Sequence, residues 1–220
     1  MVPKLLKSNL FFLVPYLLVL LALLPVLMLC TKYNIHLWIN QFNNTFFDLF
    51  FKYITVLGDG IVIIIPVVAF LFFSLRHAVY CLVTYLSTGL VTQLLKRLFF
   101  EDIIRPSRYF QDIAALHLVD GVKMFGGKSF PSGHATSAFA LFLCLALISE
   151  NRYLKLACFF MACLVAFSRV YLSQHFLIDV YAGSLLGCAG ALSFYLVFYR
   201  DDHRWHNWNV QKLFRKDDQA

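Results

Sequence analysis

Charge is scarce in this chain. Only 14% of its 220 residues are Asp, Glu, Lys or Arg, against about 25% in an ordinary soluble domain, and that shortage excludes one. No CxxC pair and no His-rich metal spacing accompanies the six cysteines, which all lie in or beside apolar runs and act there as small hydrophobes. No repeat and no low-complexity linker divides the sequence, so residues 1–209 read as a single domain with a polar tail at 210–220. A small-residue cleavage site is missing as well. Leu29-Cys30-Thr31-Lys32 follows the first apolar run, and that run is longer than a signal core, so it is expected to stay as a span although Lys4 and Lys7 precede it.

What the chain has instead is apolar surface. Sixty per cent of the residues are hydrophobic, and they come in blocks approaching the ~20 residues that cross a bilayer as a helix. Six spans are expected, at about 10–29, 60–75, 78–95, 134–149, 153–167 and 177–199. Runs this continuous do not alternate as barrel strands do, so the fold class is all-α, a six-transmembrane-helix bundle. The stretch Phe46–Leu57 is apolar but interrupted by Asp48 and Lys52, and reads as an interfacial helix. His203 and His206 stand beside Trp205 and Trp208, a combination that reads as an aromatic belt rather than a metal site.

The net charge of +7 fits lysines and arginines facing anionic lipid together with a cationic site, so nucleic acid is not an expected partner. Basic residues near the helix ends divide almost evenly between the two sides. Setting aside Lys96, Arg105 and Arg169, which a phosphate site would require, leaves an excess on the side of the termini. By the positive-inside rule that side is cytoplasmic. The expected location is a bacterial cytoplasmic (inner) membrane, with the site at the outer membrane–water interface, facing periplasm or exterior.

Four clusters stand where apolar runs meet water. Pro131-Ser132-Gly133-His134 precedes the fourth run. There the proline stops a loop, the serine caps a helix, and the glycine lets backbone approach a ligand. Such a helix start offers free N–H groups and a positive dipole end to an anion, although for Ser-Gly-His alone a capped helix start is the ordinary explanation. Ser168-Arg169 closes the fifth run, and His175 and Asp179 open the sixth. At a spacing of i, i+4 the imidazole and carboxylate face one another, which leaves the second ring nitrogen basic and aimed. Lys96 and Arg105-Pro106 follow the third run; singly they would be snorkelling anchors. Together, two or three cations around one phosphate stabilise charge that develops as an ester bond breaks.

These clusters resemble the motifs of the type 2 phosphatidic acid phosphatase family, K-x6-R-P, P-S-G-H and S-R-x5-H-x3-D. The second matches at Pro131–His134, and the third matches in full at Ser168-Arg169, His175 and Asp179. The first departs: eight residues rather than six separate Lys96 from Arg105, and Arg97 would leave seven. The resemblance implies a metal-independent and cofactor-free lipid phosphate phosphatase. It implies His175 as nucleophile, forming a phosphohistidine, with Asp179 orienting it. His134 would be general acid and then base, and Lys96, Arg105, Ser132, Gly133 and Arg169 would hold the phosphate.

The expected substrate is a membrane lipid phosphate: an isoprenyl (undecaprenyl) diphosphate, phosphatidylglycerol phosphate, phosphatidic acid or a lipid A phosphate. The loop Ser107–Ser129 is expected to form a lid, with Lys123 and Lys128 reaching a second phosphate. A phosphotransferase would use the same residues with an alcohol acceptor. A non-catalytic lipid binder would have no use for both histidines and Asp179, and a soluble vanadate haloperoxidase conflicts with the apolar spans. The sequence leaves the oligomeric state open.

Overall fold

The computed structural model describes residues 2–200, and among these every regular element is a helix. A short α1 (Val2–Ser8) leads into α2 (Leu10–Leu29), then α3 (Lys32–Asn40) and α4 (Thr45–Ile54). Two 3-10 turns, Thr55–Gly58 and Gly60–Ile63, connect α4 to α5 (Ile64–Phe73). The long α6 (Leu75–Leu98) is followed by a one-turn α7 (Pro106–Tyr109), and then by α8 (Gly133–Ile148), α9 (Arg152–Tyr171) and α10 (Leu177–Tyr199). The tail at 210–220 and the His203–Trp208 aromatic group lie outside the described residues.

Among the described residues, α2, α6, α9 and α10 are long and apolar enough to cross a membrane, and a fifth crossing is reached when α4 and α5 are taken together. That pair corrects the expected second span. The stretch at Phe46–Leu57 does not stand apart as an interfacial helix. It joins residues 60–73 across a break with a 55° bend, either a broken span or a re-entrant loop. Alone, α5 has ten residues, about 15 Å of helix against a hydrocarbon core of about 30 Å. The two charges that disguised α4 are satisfied by protein. Asp48 accepts from Tyr171 Oη at 2.6 Å and pairs with His117 at 2.9 Å, while Lys52 Nζ donates to the Asp120 carbonyl. The expected fourth span falls on α8, an apolar helix of sixteen residues that is shorter than the four long candidate spans.

The bundle is built on α8, which is buried along almost its whole length between α6, α9 and α10. Gly183 and Gly187 make that packing possible. A Cβ on Gly183 would lie 2.5 Å from the Ser132 carbonyl, and one on Gly187 would collide with the Thr136 carbonyl. The two small residues, one turn apart, let α10 press its backbone against α8. Ala135, Ala138 and Phe139 of α8 and Ala162 and Ala166 of α9 join the core around this seam. By contrast α2 remains mostly exposed, as a lipid-facing helix would be. The consequence for chemistry is that the starts of α8 and α10 are held side by side. The Ser132 N–H donates to the Asp179 carbonyl at 2.9 Å.

Candidate active site

Ser132 caps α8, accepting from the Ala135 N–H, and His134 sits in the first turn. A Cβ built on Gly133 meets nothing within 4 Å, so space is open above the helix start, where the first N–H groups lack intrahelical acceptors. On the other side of the seam, α9 ends and the chain doubles back. The Arg169 carbonyl accepts from the N–H groups of Gln174 at 2.9 Å and His175 at 3.0 Å, with Ser173 in the left-handed region at φ 53°. This tight return brings the His175 backbone back against that of Arg169.

His175 and Asp179 are each 1% exposed. The carboxylate oxygen Oδ2 of Asp179 accepts from the Ser129 hydroxyl, from the Phe176 N–H at 3.0 Å and from His175 Nδ1 at 3.4 Å. Because a carboxylate only accepts, the His175 proton is on Nδ1 and Nε2 carries the free lone pair. Burial, and after it the charges of Arg105, Lys96 and Arg169, holds His175 well below the ordinary imidazole pKa. Its side chain is therefore a neutral, basic nitrogen at neutral pH.

The three cations converge on it from three directions. Lys96, on the last turn of α6, is 5% exposed and donates Nζ to the Lys128 carbonyl at 3.0 Å. Arg105 donates Nε to the Gly127 carbonyl at 3.0 Å, and Nη1 to Gln174 at 3.2 Å. Arg169 donates Nη1 to Thr55 Oγ1 at 2.7 Å and Nη2 to Gln174 Oε1 at 3.4 Å, and its buried Nε has no partner. Burial lowers the Arg105 pKa, with the charge of Asp179 acting against that shift. No carboxylate lies within salt-bridge distance of any of the three among the described residues. Buried cations without counter-ions are costly, and an anion among them would offset that cost.

The departure in the first motif is absorbed by an exposed loop. Glu101 and Asp102 bulge outward, while the Ser129 N–H bonds the Ile103 carbonyl and the Arg105 N–H bonds the Gly126 carbonyl. Those two bonds return Arg105 to the neighbourhood of Lys96. Arg97 is exposed and points elsewhere in the helix register. The expected lid is tied down rather than loose. His117 and Asn40 exchange backbone–side-chain bonds at 2.8 and 2.9 Å, His117 pairs with Asp48, and Gln174 Nε2 donates to the Lys123 carbonyl at 3.0 Å. Lys128 differs from the expectation: its ammonium pairs with Glu101 at 2.8 Å. Lys123 is exposed and lies over the Phe125 ring. Ser168 bonds the Val165 carbonyl within α9.

Sequence reasoning missed four polar residues here. Ser129 and Gln174 tie the motifs to one another, and Thr55 holds Arg169. Asp59, on the bend between α4 and α5, places Oδ1 2.9 Å from His134 Nε2. A polar Gly58-Asp59-Gly60 step inside an apolar run was the available signal.

Comparison with known proteins gives the family. The family model for the PAP2 superfamily matches residues 77–202. A lipid A 4'-phosphatase of Porphyromonas gingivalis is 28% identical over 178 residues, covering 78% of this chain and 75% of that protein. A lipid A 4'-phosphatase of Bacteroides thetaiotaomicron is 31% identical over 97 residues, 44% of this chain and 43% of that protein. Among solved structures, Aquifex aeolicus LpxE superposes with a TM-score of 0.65 at 24% identity, covering 73% of this chain and 92% of that one. The Bacillus subtilis PAP2-type phosphatidylglycerolphosphate phosphatase gives 0.63 at 22% identity, covering 90% and 99%. These two share the fold. The chain is a member of the PAP2 superfamily, a family of phosphatases.

Proposed function

We propose that this protein hydrolyses a lipid phosphate on the outer side of the membrane, through a phosphohistidine, with no metal. The observation that carries the proposal is the set of three cations without carboxylate partners around a neutral His175 whose Nε2 is free. Lys96, Arg105, Arg169 and the N–H groups at the start of α8 hold the phosphate oxygens, and their charge is worth most as negative charge grows in the transition state. Nε2 of His175 attacks phosphorus, and Asp179 stabilises the imidazolium that forms. His134 protonates the departing oxygen, then takes a proton from the water that cleaves the P–N bond.

The lipid reading draws on a cavity beside the site. About 1000 Å³ of apolar space lies among α2, α3, α4, α9 and α10, walled by Tyr171, Leu177 and Val180 next to the site residues and by Trp38 and Phe47 farther out. That space suits an acyl chain. The similarity to lipid A 4'-phosphatases favours a phosphorylated sugar headgroup over a glycerophosphate. Counting the α4–α5 pair and α8 as one crossing each gives six crossings and both termini on one side; the excess of basic residues on that side supports the cytoplasm, with the site at the outer leaflet. Purified protein in detergent should release phosphate from lipid A in EDTA, and faster than from phosphatidic acid, phosphatidylglycerol phosphate or undecaprenyl diphosphate. Activity only with added magnesium, or on none of these lipids, would overturn the proposal.

A further inference from the structure

We infer that Asp59 is a positioning residue for proton transfer, holding His134 as Asp179 holds His175; this rests on the proposed role of His134 as the acid. Asp59 Oδ1 lies 2.9 Å from His134 Nε2. A carboxylate only accepts, so Nε2 carries a proton, and the nitrogen left for substrate is Nδ1, which has no protein partner among the described residues. The two histidines are thus oriented in opposite senses. Asp179 takes Nδ1 of the attacking ring, and Asp59 takes Nε2 of the protonating ring.

The bend is constructed for this contact. Tyr85 Oη donates to the Asp59 carbonyl at 3.1 Å and fixes the backbone. Gly58, just before it, would carry a Cβ only 2.9 Å from Val165 Cγ1 and 3.0 Å from His134 Cδ2. No side chain fits there without moving the imidazole, so the glycine lets the bend touch the ring. The electrostatics give the contact a purpose. His134 faces Arg169 on α9, His175 on the turn before α10, Arg105 on the loop before α7, and Lys96 on α6. Burial opposes a proton on the ring most strongly, and three of these groups are cations that oppose it further. Asp59 is the group of opposite sign against it, and a carboxylate at this range favours the imidazolium.

In the first step the His175 Nε2–P bond forms as the P–O bond to the alcohol breaks. The proton on His134 Nδ1 moves to the departing oxygen, leaving His134 neutral with Nε2–H on Asp59. In the second step Nδ1 takes a proton from water, whose oxygen bonds to phosphorus as the N–P bond breaks. Inorganic phosphate leaves, and both histidines return to their starting forms.

The test uses leaving-group chemistry, to which a merely structural residue is indifferent. An alkyl phosphate needs its departing oxygen protonated; p-nitrophenyl phosphate does not. For Asp59→Asn in detergent-purified protein, kcat/KM, which reports the step that expels the alcohol and not the later attack of water, should fall about 10²-fold on a short-chain alkyl phosphate, the usual worth of proton transfer, and less than about threefold on p-nitrophenyl phosphate. The alkaline limb of kcat/KM should move about one unit lower for the alkyl substrate. Asp59→Glu should recover much of the loss, and it serves as the readable variant if Asp59→Asn does not fold. Equal losses on both substrates with an unmoved pH profile would overturn the role. His134→Asn separates the two levels. If it fails to discriminate the leaving groups, the proposed acid is wrong; if it discriminates and neither Asp59 variant does, only the role of Asp59 falls.

Discussion

His175 is the residue on which the proposed chemistry turns, and its environment fixes its protonation. Its pKa is held below the ordinary value of 6.5, first by burial and then by Arg105, Lys96 and Arg169. The neutral ring is favoured in the folded state, so its stabilising contribution is full above pH 6.5 and is lost as the pH falls below that toward the folded value. In ligand-free protein, the 15N shifts of His175, assigned by its loss in His175→Asn, should remain those of a neutral ring at pH 5.5. An imidazolium signal there would mean that the cations do not face it. The first motif is a second matter at this scale. Lys96→Ala should lower kcat by about 10²-fold, as loss of one positioned charge does, and Arg97→Ala, on an exposed side chain, by less than about threefold. An essential Arg97 beside a dispensable Lys96 would reverse that register. Motif residues were legible because their spacing is local: His175, just before α10, and Asp179, in its first turn, are four residues apart. Asp59, Thr55, Ser129 and Gln174 were not, because each meets its partner only after the chain has folded back. Thr55 and Arg169, for instance, are 114 residues apart.

At the level of elements, the seam between α8 and α10 sets the distance between the two histidines. Gly187→Ala forces a methyl group against the α8 backbone and should destabilise by about 1–3 kcal/mol, read as a lower Tm in detergent with activity falling in parallel. Gly89→Ala, where an added Cβ meets nothing within 4 Å, should hold or slightly raise Tm, since alanine favours helix. Equal effects at the two positions would remove the seam from the account. The apolar cavity is a separate element. Val180→Trp should fill it and raise KM for long-chain lipid phosphates while leaving p-nitrophenyl phosphate unaffected. Most helices were visible as apolar runs. The bent α4–α5 pair was not, because Asp48 and Lys52 break the hydropathy of α4. Their partners, His117 and Asp120, come from the loop 107–129, distant in sequence.

For the whole molecule, orientation decides which lipid leaflet the enzyme reaches. A single cysteine placed in the loop 107–129 of a cysteine-free background should react with a membrane-impermeant maleimide in intact cells. A cysteine at Gln219 should not, and the opposite pattern would place the site in the cytoplasm. The fold and the family were legible from the sequence because continuous apolar runs and three ordered motifs survive without any knowledge of contacts. The substrate was not, since the loop 107–129 takes its position from α3, α4 and the α9–α10 turn, contacts that no local pattern announces. The central claim is that phosphate passes through His175, and trapping the intermediate tests it most directly. Protein mixed with 32P-labelled lipid phosphate and quenched in alkali should carry label that survives base and is released by acid. That label should be missing from His175→Asn. Turnover by wild-type protein without such label, or equal label on His175→Asn, would contradict the account.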